Sequence, residues 1–297
     1  MSQLTNLALQ PAKRRSRKPG EKPLRTGLWN TLAVVFGVIM VFPVYWMFIS
    51  TIESGRDLLS INPHFFPTSF SFSSYTAVFQ DPQFFGALRN TAIITFSSVL
   101  VALTIGFLGA VGVARFKFRG RNFFIISMMF VQMVPGIALI LPLFFVVNDL
   151  GLVDQLLGVI IIYLVFTVPY CVWVLRAFIV NIPVELDEAA MVDGCTKLGA
   201  FVRIILPLTL PGLITAGVYS WIQTWNEFLM ANIILNGGDK PNGQIWLDSF
   251  SSSPTHAANY GEQMAGAFLI SLPIIILFVT LQKKLTAGLT AGAVKGG

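Results

Sequence analysis

Glu185, Asp187 and Glu188 cluster between Pro183 and the pair Ala189–Ala190. Pro183 suits the first turn of a helix. Carboxylates placed near a helix N-terminus oppose its positive end. Gly194 suits a stop in the left-handed conformation, and Thr196 can cap a second short helix running towards Ile204. The spacing therefore predicts helix, glycine turn, helix. Ala189 and Ala190 leave the first helix with little bulk, so another protein could approach its backbone closely. A helix lying on a membrane surface would instead favour Lys and Arg on its polar face. An acidic one is repelled by anionic lipid, which favours a protein dock.

A second group of polar residues lies within strongly apolar sequence. Gln223, Asn226, Glu227 and Met230 recur at the spacing of one helix face, and Gln132 stands alone in an earlier apolar block. An ionisable group inside a span points to function by default. Glu227 lies twenty residues beyond Pro207, about 30 Å along a helix, which carries it towards a membrane interface. Two readings stand for it: lining or gating a pathway, or holding interfacial or inter-subunit structure. Catalytic and metal chemistry find no constellation. Cys171 and Cys195 lack metal-ligand spacing and read as structural, and His64 and His256 fall in separate loops. The phosphate-cradling pattern G-x-x-x-x-G-K-[ST] is absent, so this chain is expected to hold no nucleotide and to be no enzyme.

The elements that must position these residues are membrane spans. The chain is 55% hydrophobic and only 11% charged, against about 25% charged in a soluble domain. Six apolar blocks appear, near 28–50, 89–114, 122–147, 156–176, 205–235 and 264–282. Each is long enough to approach the roughly 20 residues that a helical span needs. Too little polar surface remains to cover six such helices in water, and the blocks lack the alternation of a membrane β-barrel. Tyr45 and Trp46 read as interfacial anchors.

Of the twenty Lys and Arg, seventeen fall before the first block, between the second and third, between the fourth and fifth, or after the sixth. Arg56, Arg89 and Lys240 fall on the other side. The positive-inside rule then expects both termini in the cytoplasm and the block 181–207 on the same side. The basic N-terminus reads as a topology signal touching lipid, and no nucleic-acid partner is expected. Its apolar run from Leu28 to Ile49 is too long for a cleaved signal peptide.

Prolines punctuate the blocks at Pro43, Pro135, Pro142, Pro169, Pro211 and Pro273. Singly they are common in membrane helices, whereas Pro135–Gly136 followed by Pro142 equally suits a broken helix. Gly106, Ala110 and Ala114 recur every four residues and predict close helix packing. The segment 52–87 reads as an ordered external lid with a short helix near Tyr75–Gln80, and the loop 236–263 as polar and Gly-rich, with "NGGDKPNG" forming turns.

The stretch from Asn181 resembles the "EAA" loop of bacterial binding-protein-dependent ABC importer permeases. That loop reads Glu-Ala-Ala, three residues, Gly, nine residues, Ile-x-Leu-Pro. Glu188-Ala189-Ala190, Gly194, Ile204, Leu206 and Pro207 match every position. "ARFKFRGR" at 114–121 is similar to the corresponding loop of sugar permeases, and the ending "LTAGLTAGAVKG" to the tail of the maltose G-type subunit.

The resemblance implies an all-α membrane protein of six transmembrane helices with the type I importer permease fold. Its parts would be a basic tail (1–27), a first span (28–51), an external loop (52–87), a permease core (88–282) with coupling loop 181–207, and a cytoplasmic tail (283–297). It implies a sugar substrate, a second permease subunit in a heterodimer, two ATPase subunits that hold ATP and Mg, and an external solute-binding protein. Glu185 and the matched loop residues would couple to the ATPase, and Gly288, Gly292 and Lys295 would meet its interface. The alternative is a secondary transporter driven by an ion gradient, which usually keeps a charged residue near mid-membrane and repeated halves.

Overall fold

The computed structural model describes residues 23–53, 65–67, 70–237, 239–255 and 259–293. His64, His256, Lys295 and most of the basic N-terminal tail lie outside the described residues. The chain divides into two units. The first ends at Trp46 and contains most of helix α1 (Pro23–Ile52). Side chains such as Val34, Phe36 and Val41 are exposed there, an apolar surface that water would not favour.

The second unit starts at Met47. It contains α2 (Ser73–Gln80), α3 (Phe84–Arg115), α4 (Arg121–Met133), a tight turn at Gly136–Leu139, α5 (Ile140–Asp149) and α6 (Leu156–Val180). Then follow α7 (Glu185–Val192), α8 (Lys197–Ala200), a widened turn at Phe201–Ile205, α9 (Leu206–Trp225), α10 (Leu229–Ile234), α11 (Gly243–Ser252) and α12 (Tyr260–Ala293).

Among the described residues, five unbroken helical stretches are long and apolar enough to cross a membrane: Gly27–Ile52, Phe84–Arg115, Leu156–Val180, Lys197–Trp225 and Tyr260–Gln282. The third expected span is not one helix. It is a pair bent by 98° between Met133 and Gly136. Val134 is extended ahead of Pro135, as expected where the proline ring crowds the preceding residue out of the helical region. Pro43, Pro169, Pro211 and Pro273 lie inside helices that continue through them.

Helix α3 packs along α6, and α9 packs against both. The small residues of α3 make this possible: Gly106 lies over Cys171, and Ala110 is fully buried in the same cluster as Leu175, Ile179 and Ala216. At the other end of these helices, Ile94, Ile162, Tyr163 and Ile234 form a second cluster. Trp246 and Phe250 of α11 join Val78, Phe84 and Ala265 in a third.

One boundary needs correction. The fifth block, expected to run to 235, ends as a helix at Trp225. Within the loop 236–263, the described residues of "NGGDKPNG" form turns and bends up to Lys240, as expected, and α11 follows from Gly243. Asn242 caps α11 by accepting from the Ile245 N–H at 2.9 Å, and Trp246 is pinned to Asp81 at 2.9 Å. Beyond the apolar stretch that ends at Gln282, residues 283–293 continue α12 as helix.

Candidate functional site

Two sites emerge, one at each end of the α6–α9 region. The first is the loop between these helices. Glu185, Asp187 and Glu188 occupy the first turn of α7, opposing its dipole. Gly194 has φ +88°, a conformation that side chains resist. The Thr196 hydroxyl accepts from the Gly199 N–H at 3.1 Å, the cap expected from sequence. Glu185, Glu188 and Ala189 face outward, but Ala190 is buried. Only one alanine therefore lies on the free face, which continues through exposed Val192 and Leu198.

Beyond the turn, the helix does not stop near Ile204. Lys197–Trp225 is one unbroken stretch, with Pro207 just past the widened turn at Phe201–Ile205. Ile204 and Leu206 are half-buried and Pro207 is exposed. A displacement of the segment after Gly194 therefore moves α9 directly.

Arg115 was read from sequence only as one more basic residue, yet it holds this loop in place. It ends α3 and reaches across an apolar groove of about 470 Å³. Its Nε lies 2.9 Å from the Asp187 carboxylate, and its Nη1 donates to the Ile182 carbonyl at 3.0 Å. Both charged side chains are largely buried. The pairing crosses 72 positions of sequence, so no local pattern announces it.

The second site is a cavity of about 620 Å³ between α4, α6, α9 and the start of α10. All four polar residues singled out from sequence, Gln132, Gln223, Asn226 and Glu227, line it. Gln223, Asn226 and Glu227 do not share one helix face, however, because α9 ends at Trp225. Glu227 is the reason a new helix begins. Its carboxylate accepts the N–H groups of Met230 at 2.7 Å and Ala231 at 3.0 Å, and the Tyr163 hydroxyl at 2.8 Å. These bonds supply partners for donors that a helix start leaves unmet. Its own carbonyl accepts from Asn242 at 3.2 Å. Glu227 thus holds the architecture together while bordering the cavity.

Sequence inspection missed the tyrosines, which resembled ordinary span residues. Tyr170 of α6 and Tyr219 of α9 stack with centroids 3.9 Å apart and present an aromatic face. Each amide beside them makes one donor contact with the protein: Gln132 to the Phe166 carbonyl at 3.3 Å, Gln223 to the Tyr219 hydroxyl at 3.2 Å, and Asn226 to the Ile222 carbonyl at 2.9 Å. Amide oxygens and aromatic faces suit a ligand that is rich in hydroxyls and also has apolar C–H faces.

Comparison with known proteins agrees with this architecture. The family described as binding-protein-dependent transport system inner membrane component matches residues 102–290. The chain is 37% identical over 267 residues to the diacetylchitobiose uptake system permease protein DasC of Streptomyces coelicolor, covering 90% of this chain and 96% of the relative. It is 32% identical over 278 residues to the trehalose transport system permease protein SugB of Mycobacterium tuberculosis, covering 92% and 98%. In fold it is similar to a chain from the crystal structure of a bacterial ABC transporter involved in the import of the acidic polysaccharide alginate. The TM-score is 0.73 at 24% identity, covering 92% of this chain and 99% of the other.

Proposed function

We propose, from the premise that this chain belongs to the family of binding-protein-dependent transport system inner membrane components, that it forms half of the pathway of an ATP-driven importer of di- or oligosaccharides. The chain is a multi-pass membrane permease. The observation that supports the substrate class is the cavity of tyrosine faces and side-chain amides beside α9. An ion-gradient mechanism is not favoured, since the relatives are permeases of uptake and transport systems of this family.

In this reading a second permease subunit completes the pathway, and two ATPase subunits bind ATP and Mg. An external binding protein delivers the sugar. The outward face of α7, with Glu185, Glu188 and Ala189, seats in the ATPase subunit. Closure of the ATPase dimer pushes that helix, and the unbroken stretch after Gly194 carries the movement into α9 and its cavity. The test is uptake of a labelled disaccharide into proteoliposomes containing the whole complex. Uptake should require ATP and stop with vanadate; uptake driven by an ion gradient without ATP would overturn the reading. Glu188→Lys reverses a charge at the dock and should lower uptake about tenfold while leaving the permease inserted. Unchanged uptake would remove Glu188 from the docking surface.

The C-terminal segment is assigned to the ATPase interface on the same basis. The backbone of Gly288 and Gly292 lies in the helical continuation of α12, and Lys295 lies beyond the described residues. Deleting 286–297 should leave the spans inserted but change sugar-stimulated ATP hydrolysis or the subunit ratio of the purified complex. If neither changes, the segment plays no part in that interface.

A further inference from the structure

We propose that the cavity beside α9 is a charge filter that admits uncharged sugar units and resists anionic ones. The proposal rests on the sugar-transport reading above and specifies the class of sugar. Its basis is what lines the space. Tyr170 and Tyr219 supply aromatic surface, and Gln132, Gln223 and Asn226 supply amides. No Lys, Arg or His lines it among the described residues. The single charged group is Glu227. Its three donors all come from within the protein, and none of them is a cation that would cancel its charge.

A site for carboxylated, sulfonated or phosphorylated sugars needs a counter-charge, usually Arg in a forked contact or Lys as a point charge. An anion placed here would meet a carboxylate with no compensating cation from this subunit. Beside the protein's low-dielectric wall such repulsion is felt over several ångströms. Neutral hydroxyl groups meet no such penalty. They can bond to the amide oxygens while sugar C–H faces rest on the Tyr170–Tyr219 stack.

The test reads the local potential directly, independently of which sugar the external binding protein delivers. Gln223→Cys is introduced into this chain within the assembled complex. It is reacted with methanethiosulfonate reagents of matched size that are cationic (trimethylammonium-ethyl), neutral, or anionic (sulfonatoethyl). Rates are normalised to a free thiol, and the unsubstituted complex gives the background from Cys171 and Cys195. The anionic reagent is expected to react about tenfold more slowly than the neutral one, and the cationic one at least as fast. Equal normalised rates would overturn the filter. Adding Gln132→Lys to the same background places a cation opposite and should remove or reverse the order; an order unmoved by that charge would also count against it. Glu227 is left intact because its removal would unseat α10. ATP-dependent disaccharide uptake by the unsubstituted complex separates the two ideas. Uptake with equal reagent rates defeats the filter alone, and a persisting reagent order without uptake defeats the transport reading.

Discussion

Arg115→Ala is expected to abolish most sugar uptake while the complex still assembles and hydrolyses ATP at a basal rate. Arg115 bridges the end of α3, the Asp187 carboxylate in α7 and the Ile182 carbonyl ahead of it. With both charged side chains largely buried, removing one partner leaves the other without compensation, at a cost of about 3 kcal/mol. That cost is met by releasing α7 from its position, and under the proposed function a push from the ATPase then no longer reaches α9 in register. Arg115→Lys should recover little, because an ammonium cannot span two acceptors as a planar guanidinium does. Asp187→Ala should resemble Arg115→Ala, and the double variant should be no worse than either single one, the signature of a shared interaction. The measurement is uptake against binding-protein-stimulated ATPase activity in proteoliposomes. Strictly additive losses, or normal uptake in Arg115→Ala, would show that the ion pair does not hold α7 in place.

Gly106→Val should remove most of the folded permease. A Cβ at position 106 would lie 2.4 Å from the Cys171 Cβ and 3.3 Å from the Cys171 carbonyl carbon. The obstruction is a neighbouring helix close to its backbone, so α3 and α6 must move apart. Overpacking of this kind costs up to about 3 kcal/mol. Replacing glycine within a helix returns a few tenths of that at most for a β-branched residue, so the clash decides the sign. Cys171→Gly reopens the space and should partly restore the Gly106→Val protein. The yield of monodisperse permease in detergent and its thermal midpoint provide the measurement. Wild-type stability in Gly106→Val would mean that these helices do not meet at this point.

The two variants act on different links of one chain of cause. Gly106 sets how closely α3 lies against α6, and therefore where Arg115, at the end of the same helix, is presented. Arg115 then sets the position of α7. Transport in this account depends on a buried small residue and on a buried charge, neither of which touches the sugar.

Features governed by local or bulk physics were legible in the sequence. Apolar blocks announce spans because a bilayer interior leaves backbone groups no partner outside the helix. The turn after α7 was legible because Gly194 and Thr196 act within their own few residues, one through its free φ and the other through a hydroxyl three residues away. The family resemblance of residues 188–207 is likewise local, a matter of spacing along the chain. Tertiary structure decided the rest. Helical spacing carried Gln223, Asn226 and Glu227 onto one face, yet Glu227 instead caps α10 with help from Tyr163, which lies 64 positions earlier. Nothing in its neighbourhood distinguishes a carboxylate that will find such partners from one that faces open water. The ends of α3 and α7 meet only because small residues let α3 and α6 pack closely, so Arg115 gained its role from a contact that no window along the sequence contains. The cavity likewise belongs to no single segment. Its tyrosines and amides sit on separate helices, and only their packing makes one surface of them.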